Sequence, residues 1–435
     1  MLTTILSFLL VLGILIFIHE LGHFLAARHV GVKVEAFSIG FPPTALGKIV
    51  GETEYRISWV PIGGYVKLFG QNVTDENKDD PTNYASKSIL QRLYILSAGP
   101  MMNLLFALLF MPLVFWMGVD IPAYLKNSPF IQKVEIGSYS YKLGIQANDK
   151  IISINDNDVN SWEELNNLLN KVPPSGKINI KIDRGGNYLK VEGSAIEMHR
   201  AGSMGWYPFL NPTVGGFISN SPAEKAGIQS GDTIKRINGK EIIDWSEISP
   251  EIQKIMTGKK KSLKKITIEL ERKGEPTFIE VTPYFDSDSK KWLLGMRMPK
   301  ISRSHPFADS IILGIGRLWF LTKSTFDFLG QMIKGNGSLD DLGGPIKIGI
   351  VIGDAVRSSI VDLFFLMSFI SLQLCIFNLL PIPALDGGHI FLLIIEKLKG
   401  APLSASAREK SQMLGFSVLF SLMIFVTWND LMGLL

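Results

Sequence analysis

The stretch Ile16-Phe-Ile-His19-Glu20-Leu-Gly-His23-Phe24 decides the reading of this chain, because it sets three ionisable side chains inside an apolar run over residues 1–27. A run of that length can cross a bilayer as a helix, which takes about 20 apolar residues. Residues i and i+4 share a helix face, so His19 and His23 can both offer imidazole nitrogen to one metal ion. Glu20, turned roughly 100° from His19, is left to act on water at that ion. Zinc suits two neutral imidazoles and one oxygen ligand, with a fourth position open to water. Without a metal or a partner, each of the three side chains would cost a few kcal/mol at membrane depth. A cleaved leader is not expected, since no Lys or Arg precedes the run and no small-residue cleavage site follows it.

Composition fits the same setting. Of 435 residues, 46% are hydrophobic and 19% charged, below the roughly 25% charged of soluble proteins. That apolar content excludes a disordered chain, and the single cysteine, Cys375, excludes a disulfide scaffold. A net charge of +4 is too small for a nucleic-acid-binding surface. Three further apolar stretches, 93–119, 360–386 and 412–430, complete a polytopic α-helical membrane protein of about four transmembrane helices. The loops 28–92 and 387–411 hold Arg28, Lys33, Arg92, Lys397, Arg408 and Lys410 among their basic residues, which sets both on the cytoplasmic side. In a bacterium this gives a multi-pass inner-membrane protein with a periplasmic domain over 120–303.

Within 28–92, residues 54–70 alternate like strands joined at a Pro/Gly turn, predicting a membrane-associated β-hairpin. Over 301–358, residues 307–332 are apolar at helical spacing with Arg317, Lys323 and Asp327 interspersed. That amphipathic helix is expected on the membrane surface or against the soluble domain.

The soluble segment is duplicated. Lys142-Leu-Gly-Ile-Gln-Ala-Asn-Asp-Lys-Ile151 maps onto Lys225-Ala-Gly-Ile-Gln-Ser-Gly-Asp-Thr-Ile234 at an offset of 83, which also carries Asn155 onto Asn238 and Trp162 onto Trp245. Two domains are expected, over 121–200 and 201–300. They resemble tandem PDZ (α+β) domains of the circularly permuted kind in bacterial envelope proteases. The resemblance implies that each can bind a periplasmic peptide or protein as a strand beside a sheet edge. The candidate edges are 214–219 and 131–136, and the alternative is that both domains are spacers. The lysine-rich run 259–265 reads as a solvated loop.

The third metal ligand is expected from another span. Asn378-Leu-Leu-Pro381-Ile-Pro383-Ala-Leu-Asp386-Gly-Gly-His389 ends the third one, and its prolines break the helix. Broken backbone at membrane depth is tolerated only beside a cavity or packed protein. Asp386 is the candidate ligand and His389 its rival.

The H-E-x-x-H of the first span and the N-x-x-P-x-P-x-L-D-G of the third resemble the site-2 protease family of intramembrane zinc metalloproteases. The likeness extends over nearly the whole chain, with the PDZ pair between the second and third spans. It implies that His19, His23 and Asp386 bind Zn2+ and that Glu20 is the catalytic base. It implies that Asn378, Pro381 and Pro383 position substrate, and that the hairpin with Gly63, Gly64 and Tyr65 dips toward the site to pair with an unwound substrate. Ala98-Gly-Pro-Met-Met-Asn103 matches another family element, while Pro42 stands where the family has glycine. The implied substrates are single-pass membrane proteins, an anti-sigma factor trimmed first by another protease and remnant signal peptides. The PDZ pair would then be a size gate in an envelope stress response.

Two rivals predict other features. A non-enzymatic PDZ adaptor would carry a structural zinc, which four protein ligands normally close, and only three are well placed here. A metal transporter would need further ionisable residues in its spans, and 93–119 has none.

Overall fold

The computed structural model describes residues 2–71, 80–218, 220–257, 265–286, 289–335, 343–401 and 403–434. They form two compact units, one of residues up to 119 and from 304 onward, the other of residues 120–303. The first unit opens with helix α1 (Leu2–His29), strands β1 (Val34–Val50) and β2 (Thr53–Leu68) and helix α2 (Ile89–Met117). The second holds the short helices α3 (Tyr139–Lys142), α4 (Trp162–Asn170), α5 (Ala195–Ala201), α6 (Pro222–Lys225) and α7 (Ile248–Met256). The chain returns to the first through α8 (Phe307–Ile333), α9 (Pro345–Ser358), α10 (Ile360–Asn378), α11 (Asp386–Lys399) and α12 (Ala405–Leu434).

Four helices are long and apolar enough to cross a membrane: Leu2–His29, Ile89–Met117, Ile360–Asn378 and Ser406–Met432. They expose side chains such as Leu6, Leu10, Leu109 and Phe416, which suits hydrocarbon rather than water. The molecule is a helical membrane protein with β-rich parts.

Helix α2 is the spine of the first unit. Its start is fixed by a capping box between Ser88 and Gln91. Gly22 of α1 lies so close that a Cβ there would come 2.3 Å from the Ala98 carbonyl oxygen; small residues permit this crossing. On its other side the Ser371 hydroxyl of α10 donates to the Asn103 carbonyl at 2.8 Å. Helix α8 also belongs to this bundle: Gly314 sits against Pro112, and Leu318 packs with Ala107, Met111, Leu372 and Ile376. Within the stretch expected over 301–358, α8 thus buries one face on α2 and α10.

Helix α12 is held at several points, among them Arg408, which pairs with Glu396 of α11. Gly415 packs against Pro383 and Ala384. The buried Asp430 carboxylate accepts the N–H groups of Gly344, Ile346 and Lys347, each at 3.0 Å. It thereby caps the start of α9, whose first N–H groups have no intrahelical partner.

Strands β1 and β2 fold back on themselves. Antiparallel registers run from Val34↔Leu68 to Ile39↔Gly64 and from Thr44↔Ser58 to Val50↔Thr53. Between them Ala36↔Glu54 to Ile39↔Ile57 rises in step on both strands, so residues 34–41 lie between 53–60 and 64–68. The inner end packs Phe37 and Leu68 against Phe24 and Ile95. The expected hairpin is therefore a four-segment sheet.

The second unit repeats its architecture. Strands Asn157–Asp158, Lys150–Ile154, Lys177–Arg184 and Asn187–Ser194 form one sheet in that order, and Lys240–Glu241, Thr233–Ile237, Ile266–Arg272 and Glu275–Val281 form the other. Asp149 accepts from Gln146 N–H and Arg184 Nε, both at 2.7 Å, as Asp232 does from Gln229 N–H at 2.7 Å and Arg272 Nε at 2.9 Å. Each arginine also donates to a turn carbonyl, Gly144 or Gly227, at 2.8 Å.

One expectation needs correcting here. Strand Trp206–Pro208 pairs with Ile131–Val134, and Met204 and Trp206 belong to the first core, so the boundary expected at 200 falls beyond 208. The segments expected as edges, 131–136 and 214–219, are each paired on one side, the second through Gly216–Phe217 with Met296–Arg297. Ser219, and the lysine run 259–265 except for Lys265, lie outside the described residues.

The open side of the first repeat is instead a cleft of about 680 Å³ between α4 and residues 202–208, lined by Trp162, Asn166, Leu169 and Asn170. The matching position in the second repeat is bridged. Gln253, 83 residues after Asn170, donates through Nε2 to the Trp292 carbonyl at 2.7 Å and accepts the Trp292 N–H at 2.9 Å.

Candidate active site

Helix α1 carries His19 and His23 one turn apart, and α2 fixes how they point. Gly99 leaves room for the His23 ring, whose Nδ1 lies 2.8 Å from the Ile95 carbonyl oxygen. A carbonyl only accepts, so His23 Nδ1 carries the proton and Nε2 presents a lone pair. Nε2 of His19 lies 3.2 Å from it.

Asp386 completes the group from the first turn of α11. Residues 379–385 fold tightly over Gly387 and Gly388, where a Cβ would come 2.3 Å and 2.2 Å from the carbonyl oxygens of Leu380 and Ile382. This return brings Asp386 Oδ2 to 3.1 Å from His19 Nε2 and 3.4 Å from His23 Nε2. Two imidazole nitrogens and a carboxylate oxygen then face one another, all partly buried, an arrangement suited to a cation. Ligands about 2.0–2.1 Å from a tetrahedral zinc stand about 3.3–3.4 Å apart, so a triangle of 3.1–3.4 Å fits that ion. Among the described residues these are the three whose donor atoms all lie within 4.8 Å of one another, and His389 does not join them.

Glu20 lies off this triangle beside the sheet. A Cβ on Gly64 would come 3.1 Å from Glu20 Cγ, and the Val66 N–H faces the Glu20 carboxylate. Segment 64–68 thus runs along the face of α1 that carries Glu20. Its neighbours differ: Gly63 packs against the Phe41 ring, and the Tyr65 hydroxyl accepts from Arg56 at 3.0 Å. Asn378 ends α10, and Pro381 and Pro383 lie in the return to Asp386.

Sequence reasoning assigned no role to Gly99, Asn103 or Val66. The available signal was Ala98-Gly-Pro within an apolar span, since a glycine there costs about 1 kcal/mol relative to alanine unless packing needs it.

The chain is similar to known proteins over nearly its whole length. Residues 7–422 match the model of peptidase family M50. The Regulator of sigma E protease of Haemophilus influenzae is 31% identical, over 98% of this chain and 98% of its own. The Regulator of sigma-E protease RseP of Escherichia coli is 30% identical over 98% and 97% respectively. A Pasteurella multocida protein named as a candidate zinc metalloprotease is 30% identical over 98% of both chains.

Proposed function

The chain belongs to peptidase family M50, and from that premise we propose that His19, His23 and Asp386 hold zinc while Glu20 is the base that cleaves peptide bonds within the membrane. It is a zinc metalloprotease of the site-2 type. The observation that carries the assignment of residues is the triangle of donor atoms beside an unligated glutamate. When bound there, zinc would supply Lewis-acid activation of water and of the scissile carbonyl. Glu20 takes a proton from the attacking water and returns it to the leaving amide nitrogen.

An intact helix buries its carbonyls in hydrogen bonds, so a substrate must unwind before cleavage. Segment 64–68, beside Glu20, supplies a strand against which the opened segment can pair. Asn378, Pro381 and Pro383 would hold it from the other side. The substrates are single-pass membrane proteins. The relatives' names point to the sigma-E pathway, and hence to an anti-sigma factor already shortened by another protease, with remnant signal peptides as further clients.

The repeats act as periplasmic PDZ domains on an inner-membrane enzyme whose site lies near the cytoplasmic side. Among the described residues the first has an open groove, between α4 and residues 206–208, so a peptide would add there. Bulk around the pair would exclude untrimmed substrates, and removing residues 121–300 should let them be cut. A non-enzymatic adaptor is not favoured, since the donor set has three members and leaves the fourth position to water.

The test is to purify wild type and Glu20→Gln in detergent, measure zinc, and incubate each with a single-pass substrate. One zinc in both with cleavage only by wild type is expected. Turnover by Glu20→Gln would remove Glu20 from the mechanism.

A further inference from the structure

Each histidine of the motif has a partner on α2 for its other ring nitrogen. For His23 that partner is the Ile95 carbonyl. For His19 it is the side-chain amide of Asn103, whose Nδ2 lies 3.2 Å from His19 Nδ1. Asn103 is fully buried, and its position is held by Ser371 donating to its carbonyl.

The direction of that contact matters. With Nδ2 toward His19, the amide donates to a lone pair on Nδ1, which places the ring proton on Nε2, where it meets Asp386 Oδ2 at 3.1 Å. That arrangement closes Nε2 to a metal. It also leaves Asn103 Oδ1 buried, with no partner among the described residues. An amide's oxygen and nitrogen are nearly the same shape, and turning the group over presents Oδ1 to His19 Nδ1. The proton then belongs on Nδ1, and the Nε2 lone pair opens toward His23 and Asp386.

We propose that Asn103 is the positioning residue for His19: its amide carbonyl accepts Nδ1–H when metal is held, and its amide nitrogen satisfies the other tautomer when metal is absent. One side chain serves both states because an amide offers a donor and an acceptor at nearly the same place. A hydroxyl or a carboxylate could fix the metal-holding tautomer, whereas an aliphatic residue fixes neither. The role of Asn103 goes beyond the ligand set, but it rests on reading His19, His23 and Asp386 as that set.

The test is zinc affinity, measured by chelator competition on full-length protein in detergent, with melting of the metal-free form alongside. Asn103→Leu keeps the branched shape and removes the side-chain hydrogen bond to His19 in either state. It should weaken zinc roughly 10- to 100-fold, the usual effect of losing a ligand's supporting partner. Asn103→Asp can accept from Nδ1–H, so its zinc affinity should stay within about threefold of wild type or rise. Wild-type affinity in Asn103→Leu would overturn the proposal. If the leucine variant does not fold, a tenfold loss in folded Asn103→Asp would overturn it equally. Failure of wild type itself to bind zinc would instead defeat the ligand assignment.

Discussion

Gly99 of α2 lies flat against the imidazole of His23, and a Cβ at position 99 would come 2.3 Å from Nε2. The ring has little room to retreat, because Nδ1 is bonded to Ile95 and Nε2 faces Asp386 at 3.4 Å. Gly99→Ala should therefore lower zinc affinity at least tenfold, as disturbance of a ligand's surroundings usually does. Alanine is the better helix former by about 1 kcal/mol, which offsets part of the cost of the clash, so melting should fall little. Zinc retained after dialysis against a chelator, together with the melting temperature, separates the two effects. Full zinc content in the variant would show that the ring can move.

The candidate ligands were legible in the sequence, and their supports were not. His19 and His23 announce themselves by helical spacing, and Asp386 by the prolines that break the chain before it. The contacts of Gly99 and Asn103 depend on how two apolar helices cross, and α2 has no polar face to reveal its rotation. The repeat was legible because Asp149 and Asp232 each meet an arginine from a later strand, leaving the same local pattern twice. Residues 131–136 alternate like an edge, but Trp206–Pro208, sequence-distant and short, covers them. The sheet of β1 and β2 was underestimated for the same reason, since pairing of 34–41 with two separate segments leaves no local signal.

Asp430 offers a test of how α12 is held. Its carboxylate accepts three N–H groups at the start of α9 with no exposed surface. Removing it leaves buried donors unpaired, and each such group costs about 1–3 kcal/mol. Asp430→Ala should lower the melting temperature in detergent and expose 405–434 to proteolysis, while Asp430→Asn, which keeps one acceptor, should lose less. Unchanged melting of the alanine variant would mean that the cap contributes nothing.

A pH effect follows from Asp232. Burial raises its pKa, but the Arg272 guanidinium and the Gln229 N–H outweigh that and hold it below the usual carboxylate value. A depressed folded pKa stabilises above the unfolded value, about 4, and that stability is lost as pH falls through the folded value. The second repeat should thus be fully stabilised at neutral pH and weaken below about pH 4. Asp232→Asn should be destabilised at pH 7 by about 2 kcal/mol, since it breaks a buried pair whose arginine is partly exposed. The difference from wild type should shrink toward acid pH. A constant difference across the range would exclude the ion pair as its source.

The last prediction uses the asymmetry between the repeats. Gly205 and Gly295 correspond, with φ of 72° and 76° and with Ser138 and Ser221 where a Cβ would stand. Counting back three residues sets Gly202 against Trp292, so Gln253 bridges in the second repeat the place where Asn170 faces an open cleft in the first. A glutamine that pairs with both the N–H and the carbonyl of one strand residue occupies backbone groups that an incoming peptide would need. Full-length protein should therefore take one extended apolar peptide per chain. Gln253→Ala should raise that to two, and Asn170→Gln, which installs the longer amide in the first repeat, should reduce or abolish binding there. Titration calorimetry reads all three stoichiometries. Two peptides on wild type would show that the Gln253 bridge opens freely, and one on Gln253→Ala would show that something else closes the second groove.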